Sequence, residues 1–316
     1  MGHEGAFLAV AFSPDGTGIV TASSDGTARV WEAETGAGTA CLGGHEGRLT
    51  TVAFSPDGAR IATASDEGAA RLWDADTGTQ IACLRRHKSS MAAIAFSPDG
   101  ARIATAGHDG TARICDVERG AEIACMRGHM GWVNAVAFSP DGACIATASH
   151  DGTTRVSDTA TGRQTISLGA HNGPVNAIVF CPYGARMVTA SGDGTARVWD
   201  AQSGAETARL RGQDDWLLAV AVFPDGARIG TASRDGTVQI LDSETETRVA
   251  WLRGHKGAVN GIAFSPDGTR RATASDDRTA RVWDVGTDAA DAELNGVGGL
   301  PRAIALSPDG ARIVTV

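Results

Sequence analysis

Apolar and polar positions alternate along this chain in bursts of five or six residues, and the bursts come in fours. Runs such as Val133–Phe138 and 102–106 read as β-strands, because alternate side chains of a strand face opposite sides. The turns between the bursts are as regular as the bursts. Ser13-Pro14-Asp15-Gly16 recurs as Ser-Pro-Asp-Gly in six of eight places, with Cys181-Pro182-Tyr183-Gly184 and Phe223-Pro224-Asp225-Gly226 as variants. Pro presets the second position of such a turn and Gly takes the left-handed one. A second signal, Asp-Gly, as in Asp25-Gly26 and Asp193-Gly194, predicts a two-residue hairpin leading into a strand over 195–200. A looser Thr-Gly or Ser-Gly turn and a fourth strand, such as 206–210, close the unit.

The unit is 42 residues long. His3, His45, His87, His129, His171 and His255 share one register, with Gln213 in the missing place, and Trp31, Trp73, Cys115, Ser157, Trp199, Leu241 and Trp283 form a second series. No insertion or deletion separates these markers. The repeats are therefore 3–44, 45–86, 87–128, 129–170, 171–212, 213–254 and 255–296, and residues 297–316 supply the first two strands of an eighth. One four-stranded unit cannot bury both of its faces, so the units must stack around an axis. The prediction is an all-β, seven-bladed propeller of four-stranded antiparallel blades in a single domain, with a spare hairpin. Its strands are called A to D from the axis outward.

Gly44-His45, Ser-Pro-Asp-Gly, Thr63-Ala64-Ser65 and Trp73-Asp74 together resemble the WD40 repeat, and the likeness covers essentially the whole chain. Phrases of the form Thr-Ala-Ser-x-Asp-Gly-Thr-Ala-Arg-Val-Trp-Asp are most similar to bacterial WD40 arrays, which commonly sit behind signalling domains in larger proteins. The half unit leaves ring closure open. Units one to seven could close on one another and leave the hairpin spare, or 301–316 could pair with strands C and D of unit one and displace 7–23. An unpaired hairpin edge is expected to promote self-association, and truncation of a longer gene product is the plainer account of both ends.

Composition narrows the function classes. The chain holds 41 glycines against eight Phe, seven Trp and one Tyr, which suits many short strands and tight turns. A formal charge of −9 argues against a sequence-blind grip on nucleic acid or anionic membrane. No apolar run approaches a membrane span and no signal peptide opens the chain, so a cytoplasmic protein is expected. Cys41, Cys83 and Cys125 occupy one position of three successive units, while Cys115, Cys144 and Cys181 replace other residues. No Cys-x-x-Cys pair occurs, and reduced thiols without metal are expected.

Several trios mimic a serine hydrolase: His171, Ser191 and Asp193, or His3, Ser23 and Asp25. The same trio recurs in unit after unit, which no single active site needs. The resemblance implies instead a structural network of His, Ser, Asp and Trp, complete in His3/Ser23/Asp25/Trp31, His171/Ser191/Asp193/Trp199 and His255/Ser275/Asp277/Trp283. Unit two has Glu67 for Asp. Unit three keeps only His87 and Asp109, unit four loses Trp, and unit six has Gln213 and Leu241, so units three and six should be the softest blades. All loops are minimal, and no phosphate-binding glycine motif or Cys cluster appears; His108 and His150 alone are too few ligands for a metal site. No cofactor and no catalysis are expected.

The resemblance also places the top face of the ring. It is lined by the residue before the turn Asp (Ser24, Asp66, His108, His150, Gly192, Arg234, Asp276), by the third residue after the His (Ala6, Arg48, Ser90, Trp132, Pro174, Trp216, Ala258), and by the fifth (Leu8, Thr50, Ala92, Asn134, Asn176, Leu218, Asn260). Partner-binding candidates are Trp132, Asn134, His108 and His150 on one side, and Trp216 and Arg234 near Asp214 and Asp215 on the other. Arg48, Asp66, Asn176, Asn260 and Asp276 complete the set. Exposed Trp and Arg dominate interface hot spots. The expected function is a non-catalytic protein- or peptide-binding scaffold, with a sensor module of a larger signalling protein and a propeller hydrolase as the alternatives.

Overall fold

The computed structural model describes residues 2–85, 87–169, 171–211, 213, 215–245, 247–284, 290–295 and 302–316. Its strands, numbered β1 to β30 in chain order, form seven four-stranded antiparallel sheets and one two-stranded sheet. In each blade consecutive strands are neighbours, as in β1 (Phe7–Phe12), β2 (Gly18–Ser23), β3 (Ala28–Glu32) and β4 (Gly38–Leu42). From blade one to blade seven, strand A of each blade touches strand A of the following one, as β1 touches β5 (Leu49–Phe54), which puts the A strands at the axis. The chain is thus an all-β, seven-bladed propeller with an additional C-terminal hairpin, as its turn chemistry predicts.

Residue type explains the stacking. Small side chains on strands B and C let blades approach closely, and larger ones from the next blade fill the gap. Val20, Ala22, Ala28, Val30 and Leu42 of blade one pack on Leu49, Val52, Ile61 and Trp73 of blade two. The joint between blades six and seven repeats this, with Leu252 and Val238 against Val259 and Trp283. Leu42, Leu49 and Ile61 are fully buried, and burying one such side chain contributes about 1.5–3 kcal/mol.

Ring closure takes neither expected route. Blade one keeps its own β1 and β2, so nothing displaces 7–23. The hairpin of β29 (Ile304–Leu306) and β30 (Ile313–Thr315) is seated between blades seven and one, where β29 touches both β1 and β25 (Val259–Phe264). The Ser-Pro-Asp-Gly turns record the same arrangement. A Cβ at Gly58 would lie 3.4 Å from Pro14 of the preceding unit, and one at Gly100 would lie 3.7 Å from Pro56. At Gly16 the neighbour is Pro308, at 3.1 Å, and at Gly310 Pro266 lies within 3.8 Å. The inner ring therefore has eight positions, although only seven carry complete blades.

Candidate functional site

The recurrent polar network comes first, because it fixes the loops from which the top face is built. In blade five His171 Nδ1 lies 3.0 Å from Asp193 Oδ2, and Nε2 lies 2.8 Å from Thr189 Oγ1. Trp199 Nε1 donates to the same Thr189 oxygen at 2.9 Å. With a neutral imidazole every group is satisfied: the indole donates to Thr189, Thr189 donates to Nε2, and Nδ1–H donates to the carboxylate. Burial lowers the His171 pKa, and the nearby Asp193 only partly offsets it. For Asp193 burial acts upward, but hydrogen bonds from Thr195, His171 and the Asn172 amide outweigh it and hold the group at about 2.

The hydroxyl in this network is threonine, which corrects the expected role of Ser23, Ser191 and Ser275. Ser191 donates to the Gly173 carbonyl at 3.1 Å and accepts from the Asp193 amide, which pins the hairpin tip. Ser275 does the same with Gly257 and Asp277, and Ser23 accepts from the Asp25 amide. The reason is strand geometry. Thr189 stands two residues before Ser191 on the same face, about 6–7 Å nearer the indole. These serines are fully buried, so none of them presents a nucleophile to solvent.

With threonine in place, the completeness of each unit changes. His3, Asp25, Thr21 and Trp31 are joined in blade one, and His255, Asp277, Thr273 and Trp283 in blade seven. Blade two is also complete, because Glu67 meets His45 at 3.0 Å. Blade three keeps His87, Asp109 and Thr105 and lacks only the indole, and blade four likewise keeps His129, Asp151 and Thr147. In blade six Gln213 imitates histidine: its Oε1 accepts from Thr231 at 2.7 Å and its Nε2 donates to Thr237.

At the top of each blade the amide of the residue before the turn Asp donates to the carbonyl of the third residue after the His. Examples are His150 to Trp132, Asp66 to Arg48 and Asp276 to Ala258, at 2.8–3.0 Å. The first two series of candidates are therefore adjacent at one end of the ring. Trp132, 52% exposed, stacks on His108 of the preceding blade with ring centres 4.5 Å apart and also meets His150 at 5.5 Å. Burial, with His150 nearby, lowers the His108 pKa. Met130, two residues before Trp132, is 92% exposed. Two blades on, Trp216 repeats the geometry. It covers Gly192 of the preceding blade, is 41% exposed, and has the Arg234 guanidinium 5.7 Å from its ring centre.

The asparagines do not join these patches as free contact groups. Asn134 donates to the Val175 carbonyl at 3.0 Å and Asn176 to the Leu217 carbonyl at 2.8 Å, so each ties its blade to the next. Asn260 donates to Asp276 at 2.7 Å. Asn134 and Asn176 are thus supports between blades, while Asn260 braces Asp276 within its own blade. Asp214 lies outside the described residues; Asp215 accepts from the Trp216 amide. Arg48 and Asp66 line a cavity of about 400 Å³ with Leu8, Thr50, Ser90 and Arg302. Arg302 escapes a reading of the seven units, yet it is the eighth member of the series that begins at Leu8 and Thr50. Among the described residues no group of three or more His, Cys, Asp or Glu could hold a metal ion.

A ring of seven 42-residue blades and one hairpin, with a hydrogen-bonded frame that recurs from blade to blade, defines the chain as a β-propeller repeat protein. Its sequence matches the WD domain, G-beta repeat family over residues 1–32, 37–74, 78–116, 120–158, 162–200, 204–242 and 246–284. The chain belongs to the WD40 family, whose propellers generally serve as protein-interaction scaffolds and are typically not enzymes. No curated protein matches it.

Proposed function

We propose that this propeller is a non-catalytic scaffold that holds a protein or peptide partner on its top face. The observation that carries this reading is the pair of exposed tryptophans. Trp132 lies between His108 and His150, and Trp216 lies beside Arg234, each braced from below by the preceding blade. A rigid aromatic plane held half out of solvent loses little entropy when it is covered, which is the property of an interface anchor. The cavity with Arg48, Asp66 and Arg302 on its wall offers an extended partner charged groups of both signs to pair with. A cytoplasmic setting fits the six free thiols, two of them exposed.

The test compares the wild type with Trp132→Ala/Trp216→Ala in a pull-down read by mass spectrometry, with thermal melts of both proteins. The expected result is loss of the specifically captured partner at an unchanged melting temperature. A variant that captures the same partner as well as the wild type removes the top-face reading. A variant that melts well below the wild type assigns the indoles to the frame.

A further inference from the structure

Blades two, five and seven seat their strand-C tryptophan in the same way. The ring packs on a strand-D leucine of the blade before: Trp73 on Leu42, Trp199 on Leu168 and Trp283 on Leu252. Its N–H donates to the strand-B threonine of its own blade, Thr63, Thr189 or Thr273, at 2.9–3.0 Å. The imidazole of the blade meets the ring edge-on, with centres 6.3 Å apart for His171 and Trp199 and 6.4 Å for His255 and Trp283. In blade seven the strand-C arginine, Arg281, stands 6.0 Å from the indole centre. Blades three and six lack the indole, but Cys115 and Leu241 take its place as members of the apolar core. Blade four has Ser157, which is buried and brings no apolar surface. The core at the joint of blades three and four is built from Ala124, Met126, Val133 and Ile145 without it.

What the serine leaves is a cavity of about 100 Å³ with the walls of an indole seat. Met126 of blade three stands where Leu168 stands beside Trp199, and His129, Thr147, Arg155 and Ser157 of blade four line the rest. These walls are fixed in advance. His129 is tied to Asp151 at 3.1 Å and to Thr147 at 2.8 Å, and Arg155 is held by Gln164 at 2.8 Å and the Gly128 carbonyl at 2.7 Å. Burial lowers the His129 pKa. With the imidazole neutral, Thr147 donates to Nε2 and turns a lone pair to the place where the indole N–H arrives in blade five. Arg127 and Gln164 of the wall are exposed, so the cavity is reached from the circumference between blades three and four. We propose that this cavity is a binding site for a small planar heteroaromatic ring with one ring N–H, of which indole is the type. The N–H donates to Thr147, Arg155 faces the ring as Arg281 does in blade seven, and the flexible Met126 closes the other side. Water is the rival occupant, since a polar cavity of this size can hold it. Water satisfies Thr147 but leaves the Met126 side without an apolar neighbour, whereas a ring meets both. The site is on the rim and is independent of the top face.

The probe is indole itself, titrated into the intact chain by calorimetry and followed also by the melting temperature. One indole bound per chain and a raised melting temperature are expected. Indene, which has the same shape without the N–H, should bind about three- to tenfold more weakly, the worth of one hydrogen bond. Ser157→Trp fills the cavity from within and should melt above the wild type and bind no indole. Ser157→Leu, which installs the residue that blade six carries at this position, should also bind none. N-acetyltryptophanamide shows where the ring comes from: tighter binding than indole assigns it to a peptide side chain, and weaker binding assigns it to a free molecule. A wild type that binds no indole and melts unchanged overturns the proposal and leaves the cavity to water. Indole binding that persists in both Ser157 variants overturns it equally, because the ring then sits elsewhere.

Discussion

Blades five and six perform the same local task with different chemistry. In blade five, Thr189 links a buried imidazole to a buried indole, and the imidazole is tied to Asp193. In blade six the amide of Gln213 takes the place of the imidazole and still accepts from Thr231, while Leu241 replaces the indole. Blade six keeps the turn closed, because Asp235 accepts from both the amide and the hydroxyl of Thr237. The task is to anchor the loop entering strand A to the B–C hairpin, and a neutral amide meets it. Only the histidine version couples that anchor to protons.

The contrast should be broken most severely at threonine. Thr189→Val leaves both Nε2 of His171 and Nε1–H of Trp199 buried without partners, and is expected to cost about 3 kcal/mol in urea denaturation. Thr231→Val orphans only the Gln213 oxygen and should cost about 1 kcal/mol. Equal losses would show that the indole contributes nothing. His171→Gln converts blade five to the chemistry of blade six and should cost about 1 kcal/mol, with a second signature in its pH dependence. The folded His171 pKa is lowered by burial, so the unfolded chain binds the proton first as pH falls below about 6.5. Stability is fully present above that pH and is lost toward the folded pKa. His171→Gln should therefore show a shallower stability loss between neutral pH and pH 5 than the wild type does. Asp193, at about 2, adds a separate contribution, present above about 3.9 and lost as pH falls through the folded value. The smallest effect is expected for Leu241→Trp, which restores an indole donor beside Thr231 and should stabilise by at most about 1 kcal/mol.

Much of this was legible in the chain. The strand at Val133–Phe138 and that at Glu206–Leu210 fall where turn chemistry places them, and 102–106 is one residue short of the observed Arg102–Gly107. The bridging hydroxyl was misread because Ser and Thr share the phrase Thr-Ala-Ser and both can donate. The distinguishing signal was present: threonine holds its place in all eight units, while Gly107 replaces the serine in unit three. Asn134 and Asn176 were misread because their acceptors, Val175 and Leu217, are a full unit away, and a residue series shows position but not partner. The two aromatic patches were found as residue sets, but the stacking of Trp132 on His108 depends on how blades are offset around the axis. No one-dimensional register contains that offset.

The contact between each turn glycine and the proline behind it has a consequence for how such chains change over generations. Seven of the eight glycines meet proline and the eighth, Gly268, meets Phe223, so the inner ring is assembled from interchangeable teeth. Adding or removing a whole 42-residue unit would leave the pattern of turns and strands in register. The last hairpin uses the same contact on both sides, with Pro308 behind Gly16 and Pro266 behind Gly310. A ring built this way can vary its circumference while the joint between any two neighbours stays the same.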